Sequence, residues 1–169
     1  MIVEIVPIQN LRYEKVTYYT ARVEGRDASE FRDFQQRMSA NTNDQIELNE
    51  IRRYIQKIGN EWGAEPVHFK DERAAERLPP PYYHFIDSDD PNDYGLRLYC
   101  IRLTKEIVIL LNGGRKTDRN PERCKNCSQH FKFANRLAEK INEAITEKFI
   151  YLNSDTREIE IDEDFDLEL

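Results

Sequence analysis

Apolar positions along this chain recur with period two in some stretches and near 3.6 in others, and the alternation lays out the elements. Met1–Ile8 is mainly apolar, is broken by Glu4, and carries Pro7, which suits a strand end or a sheet edge. From Arg12 to Gly25, Val16, Tyr18, Thr20 and Arg22 take one parity and Thr17, Tyr19, Ala21 and Val23 the other, which predicts a strand closed by Gly25. Phe31, Phe34 and Met38 then fall at helical spacing behind Asp27 or Ser29 as the cap. Asn41–Asp44 breaks the chain and caps a second helix lined by Ile51, Tyr54, Ile55, Ile58 and Trp62, with Gly59 and Gly63 near its end.

Residues 64–93 have no sustained period. Phe69–Arg73 is charged, and Leu78-Pro79-Pro80-Pro81 cannot be helical, because proline lacks the amide and restrains the residue before it. Tyr82–Ile86 reads as a short strand and Asp87–Asp93 as a turn-rich loop. Two strands follow, Tyr94–Leu103 and Ile107–Leu111, joined by the polar turn Thr104-Lys105-Glu106. After a loop over Thr117–Lys125, Phe131, Ala134, Leu137, Ala138, Ile141, Ala144, Ile145 and Phe149 form a continuous helical stripe. Glu158–Asp162 alternates strictly and reads as a last strand at a sheet edge, with a frayed end beyond it. The order β-β-α-α-β-β-β-α-β segregates strands from helices. It predicts an α+β class: an antiparallel twisted sheet with two N-terminal helices, one C-terminal amphipathic helix, and extra N- and C-terminal strands. No internal repeat divides the 169 residues, which predict a single domain with a core over about 12–150 and an acidic strand and tail over 156–169.

Composition narrows the class. Charged residues make up 34% and apolar ones 39%, as in a well-solvated globular chain. No run approaches the roughly 20 apolar residues that span a bilayer, and Met1-Ile2-Val3-Glu4 lacks the basic start of a secretory signal. Three cysteines argue against a disulfide framework and for a cytoplasmic protein. The net charge of −7 is unevenly spread: residues 156–169 hold one Arg against seven acids, while 97–148 hold twelve Lys and Arg against six acids. A basic centre inside an acidic total points to an anionic partner for that centre, or to ordinary solvated faces of opposite sign.

The basic centre contains the motifs with the most content. Tyr94-Gly95-Leu96-Arg97-Leu98-Tyr99 resembles the Gly-Tyr-Arg-Leu-Val-Tyr-type central strand of the RelE/ParE superfamily of toxin–antitoxin toxins. Gly114-Arg115-Lys116-Thr117-Asp118-Arg119, after the apolar strand Ile107–Leu111, is similar to that family's glycine-plus-basic loop before its last helix. The resemblance covers roughly residues 12–150 and leans to the phage-derived, HigB-like branch. It implies a RelE-like fold and a toxin of a type II toxin–antitoxin system, a ribosome-dependent mRNA endoribonuclease that inhibits translation. The implied partners are a small helix-turn-helix antitoxin, the ribosome and mRNA. It equally admits a non-catalytic RelE-fold interaction protein, of the gyrase-poison kind or an inactive relative.

Cleavage of RNA without a metal or other cofactor needs an acceptor for the 2′-OH proton, cations for the charge building on phosphate, and a donor for the leaving oxygen. The resemblance places Arg97 as the phosphate-bracing strand arginine and Lys116 as the basic residue after the glycine. His84 falls where some members carry lysine, and a histidine there can exchange protons near neutral pH. Arg102, Arg115 and Arg119 are the accompanying RNA- or phosphate-binding candidates. A second family lysine would fall on Ile86, which departs from the pattern, and the aromatic residue expected near the last helix has no clear match at His130 or Phe131. Against these roles, Arg97 and Arg102 can equally be strand cations paired with neighbouring carboxylates, and Lys116 and Arg119 part of a solvated loop. Cys124-x-x-Cys127 with His130 offers only part of a zinc ligand set, since a closed site takes four; no metal is expected. The acidic tail is expected to join a sheet edge and lie over the basic groove, or simply to solubilise the end.

Overall fold

The computed structural model describes residues 1–85 and 90–169. It bears out the α+β class, with one correction: the sheet is mixed rather than antiparallel. Strands β1 (Val3–Arg12), β2 (Thr17–Val23), β3 (Lys70–Glu72), β4 (Ala75–Leu78), β5 (Leu96–Arg102) and β6 (Ile107–Arg115) form it in the order β1-β2-β6-β5-β4-β3. Every pair is antiparallel except β2 with β6, which run parallel with Thr17 beside Ile107 and Thr20 beside Leu110. A parallel pair needs a long crossover. Here the whole stretch from α1 (Glu30–Met38) and α2 (Thr42–Lys57) to β5 separates the two strands.

Local chemistry explains the helix starts. Ser29 Oγ accepts the Arg32 N–H at 3.3 Å, which selects Ser29 over Asp27 as the first cap, and Asn41 Oδ1 accepts the Asp44 N–H at 2.8 Å. Lys57 passes into a single π-helical turn, Ile58–Trp62, and a short 3₁₀ turn follows at Pro66–His68; neither was legible in the sequence. The stripe from Phe131 to Ile145 forms the third helix, α3 (Ser128–Thr146), but Phe149, expected on the same stripe, lies past its end and stacks on Phe165 at 4.7 Å.

Helices cover both faces of the sheet, so the central strands are buried on both sides. On one face α1 and α2 pack Phe34, Leu48, Ile51 and Ile55 against Tyr18, Leu96, Leu98 and Leu110. On the other α3 packs Phe131, Leu137 and Ile141 against Tyr99, Ile101, Ile109 and Leu111.

Three strand predictions need correction. Residues 82–85 are not a strand: Tyr83 and Tyr82 turn their rings onto Tyr54 of α2 at 5.2 and 6.3 Å, and the sheet position is taken by β4. Ile86–Asp89 of the expected strand and loop lie outside the described residues. Strand β6 runs through Gly113 and Gly114 to Arg115, so the glycines belong to the strand and not to a loop. Finally, Glu158–Ile161 (β8) pairs with Ile150–Asn153 (β7) as a separate two-stranded sheet. The chain beyond it is not frayed. Leu167 is buried and accepts the Val3 N–H at 2.9 Å, and Leu169 donates to Met1 at the same distance, so the tail closes along β1.

Candidate functional site

An open cleft of about 1510 Å³ lies where β5 begins and β6 ends. Its walls come from the start of α2, the segment around His84 and Tyr94, the ends of β5 and β6, and the first turn of α3. Two glycines bring these elements together. A side chain at Gly113 would place its first carbon 1.8 Å from the Arg97 carbonyl oxygen, and one at Gly114 would stand 2.7 Å from that of Asn126.

A register shift in the β5–β6 pair decides which cations share a face. Leu98 opposes Gly113 and Cys100 opposes Leu110, so Leu111 and Asn112 together face Tyr99, a β-bulge. Beyond it Arg115 pairs with Leu96 and shares the α2 face of that leucine. Arg97 pairs with Gly114 and points to the α3 side with Tyr99.

The consequences for charge are opposite. Arg115 forks onto Asp44 at 2.8 Å, onto Asp93 at 2.8 Å and onto Glu47. Burial opposes its charge, but the three carboxylates outweigh burial and hold the guanidinium pKa above its ordinary value. Arg97 has no carboxylate within ion-pairing distance among the described residues. Its Nη1 donates to Leu96 O at 3.0 Å, and its Nε is buried without a hydrogen-bond partner. Burial, and then the nearby Arg77, push its pKa down to about 10. Arg77 of β4, 6% exposed, pairs with Glu72 at 3.6 Å and donates to Pro79 O at 2.8 Å. Lys116 lies on the same side, half-buried, with Nζ 5.6 Å from the Tyr94 ring; burial and the charges of Arg97 and Arg77 lower its pKa. Arg77, Arg97 and Lys116 thus form a partly buried cation cluster in which, among the described residues, Glu72 is the carboxylate that acts on all three.

Beside this cluster a polar network runs from α1 to α3. Arg37 donates to Asn112 Oδ1 at 2.5 Å and Gly113 O at 2.8 Å, and pairs with Asp33 at 2.9 Å. Asn112 in turn donates to Asp33 at 2.8 Å and Glu30 at 3.1 Å. His130 Nε2 lies 3.5 Å from Arg37 on the cleft wall. Burial, reinforced by Arg37, lowers its pKa to about 4, so the imidazole is neutral at pH 7.

Of the residues singled out in the sequence, the cleft gathers Arg97, Arg115 and His84, the last exposed on the rim. Lys116 flanks Arg97 from the α3 side but does not line the cleft. Arg102 is on the opposite face, paired with Glu76 at 3.2 Å beside the Phe69 ring, and Arg119 is exposed in the loop before α3. Arg77, Arg37 and Asn112 were not singled out. Arg77 carried a signal, the alternation Ala75-Glu76-Arg77-Leu78 just before the prolines, whereas Arg37 had none beyond its place in a helix. The acidic tail does not cover the cleft: no residue of 156–169 lines it. Cys124 and Cys127 are free thiols, and no group of three or more His, Cys, Asp or Glu among the described residues is arranged to hold a metal ion. No described helix is long and apolar enough to cross a membrane. No protein-family model, curated protein or solved structure matches the chain.

Proposed function

We propose that this chain is a RelE-type toxin that cleaves mRNA on the ribosome without a metal and so inhibits translation, held in check by a small helix-turn-helix antitoxin. One observation carries the reading: the Arg97 guanidinium at the cleft, with a buried unpartnered Nε and two further cations sharing one carboxylate. Buried donors in native proteins find partners, and a like-charge cluster favours a bound anion. A phosphodiester supplies both acceptor oxygens and negative charge. A helix pair before the antiparallel strands β4, β5 and β6, with α3 after them, also supports this reading.

In this reading Arg97 holds the non-bridging phosphate oxygens, with Arg77 and Lys116 behind it. His130, neutral at pH 7, accepts the 2′-OH proton as that oxygen attacks the adjacent phosphorus. The 5′-oxygen leaves and takes a proton from His84 on the rim, giving a cyclic phosphate end. The alternative, a non-catalytic interaction protein of the same fold, is favoured by the ion-paired Arg115 wall and the net charge of −7, since RNA binders draw affinity from free positive charge.

Inducible expression of the wild type beside Arg97→Ala and Lys116→Ala, reading growth and translation, tests the proposal. Arrest of both by the wild type, relieved strongly by Arg97→Ala and partly by Lys116→Ala, is expected. A wild type that leaves translation untouched removes the enzyme reading, and growth arrest with intact translation favours the interaction protein.

A further inference from the structure

The loop before α3 holds a feature that the RNA reading does not use, the pair Cys124 and Cys127. The Cys127 N–H donates to Cys124 O at 3.2 Å and the Ser128 N–H to the same oxygen at 2.8 Å, so the two cysteines span one tight turn into the helix. A turn of that kind holds the first and fourth α-carbons within about 7 Å, inside the range a disulfide bridges. Both sulfurs lie against the end of β6, where Cys124 Sγ donates to Arg115 O at 3.6 Å and Cys127 Sγ to the adjacent Gly114 O at 3.7 Å. We propose that Cys124 and Cys127 form a reversible dithiol–disulfide couple at the N-terminus of α3, oxidised by a low-molecular-weight disulfide such as oxidised glutathione.

The two sulfurs stand in different surroundings, as an attacking and a resolving thiol require. Cys124 Sγ accepts the Thr117 N–H at 3.4 Å and lies 3.8 Å from the Thr117 hydroxyl. Burial works against its thiolate, but these donors outweigh burial and lower its pKa. Cys127 is the N-cap of α3 and caps no amide with its side chain; its Sγ donates to Gly114 O at 3.7 Å. Burial, and the neighbouring Cys124, raise its pKa to about 12. Both thiols are buried beneath an irregular loop whose Thr117, Arg119, Arg123 and Lys125 are exposed. Local opening of that loop admits the oxidant, and its cations favour an anionic one. The third cysteine is an internal contrast: Cys100 sits mid-strand on the α2 face, fully buried, with burial holding its pKa well above the ordinary value.

The chemistry balances. The Cys124 thiolate attacks one sulfur of oxidised glutathione and expels one glutathione thiolate, leaving a mixed disulfide. Cys127 loses its proton and attacks Cys124 Sγ, expelling the second. Two protein thiols give up two electrons and two protons, and one disulfide becomes two thiols.

The test treats the reduced full-length chain with excess oxidised glutathione under native conditions, then alkylates in denaturant and reads intact mass and peptide map. The expected product has lost about 2 Da, keeps Cys100 as its one alkylatable thiol of three, and reverts with dithiothreitol. Cys127→Ser should stop as a glutathione adduct on Cys124, and Cys124→Ser should form no internal bond. Three alkylatable thiols after oxidation, or a mapped bond that includes Cys100, overturns the proposal. Mass and thiol count read the couple whether or not the cleft binds RNA.

Discussion

Arg97 and Arg115 stand on neighbouring strands and touch the same cleft, yet they are built for different work. Arg115 is wrapped by Asp44, Glu47 and Asp93, three carboxylates for one guanidinium. Arg97 has none among the described residues, and two further cations, Arg77 and Lys116, lie on its side. The first arrangement ties the start of α2 and the residue-93 turn to the end of β6. It is complete within the chain. The second leaves a buried donor and excess charge, which the chain's own groups do not answer. A bulge of one residue in β6 makes the difference, because it reverses which face the residues beyond it present.

The sharpest way to break the contrast is at that bulge. Gly113→Ala puts a methyl 1.8 Å from the Arg97 carbonyl, so the two strands must part. A loss of more than about 3 kcal/mol is expected, read as a drop in the urea midpoint. A change under 1 kcal/mol would mean that the strand pairing tolerates separation and does not fix the two faces. Next in size is Arg115→Ala. It removes the cation shared by Asp44, Glu47 and Asp93 in a partly solvated site and should cost about 2–3 kcal/mol, while Arg115→Lys recovers only part, lacking the fork. A neutral Arg115→Ala would deny Arg115 its clamp and return it to the ligand-binding candidates.

The pH dependence separates the network beside Arg97 from the rest. The unfolded chain binds a proton at His130 near its ordinary pKa of about 6.5, whereas the folded chain does so only near 4. Between those values the unfolded state holds more protons, so stability falls as pH drops through that window, by about 3 kcal/mol at full strength and about 2 kcal/mol once solvent screening of the partly exposed ring is counted. His130→Gln should lose that component of the slope. Glu30, raised by burial, acts in the other direction and is common to both proteins, so the difference between their pH curves isolates the histidine. Parallel curves would mean that His130 is solvated and ordinary, and would remove it as the neutral base.

Periodicity made the helix faces, the α+β class and the Arg97 strand legible, because burial on one face writes itself as spacing. Ser29 and Asn41 were readable as caps for the same local reason. What was not readable came from pairing at a distance. Strand β4 is four residues long and shares its stretch with charged and proline residues, so its alternation was too short to outweigh the aromatic run at 82–85. The parallel β2–β6 pair joins residues 17–20 to 107–110, and nothing in either segment names its partner. The bulge was equally silent: Gly114–Arg119 read as a glycine-plus-basic loop, and only the register shows that Arg115 and Lys116 part to opposite faces. Arg77 was missed with β4, although it is the nearest strand cation to Arg97 in charge effect.

The smallest stability effect is expected where the functional effect is greatest. Arg97→Met keeps the length of the side chain and removes a half-buried charge, an unpartnered buried Nε and the repulsion from Arg77. Each of these opposes folding, and the apolar replacement should leave stability within about 1 kcal/mol of wild type or raise it. The same change should abolish binding of a short uncleavable RNA strand, measured by fluorescence anisotropy at fixed low salt, and flatten its salt dependence. Arg115→Met should reverse the pattern, losing stability and keeping affinity in the fraction that remains folded. If Arg97→Met instead unfolds the chain as severely as Arg115→Met, both arginines are structural and the cleft has no cation held in reserve for a ligand. If it folds and binds RNA as before, the cluster is not where the strand sits, and the interaction-protein reading of the fold takes precedence.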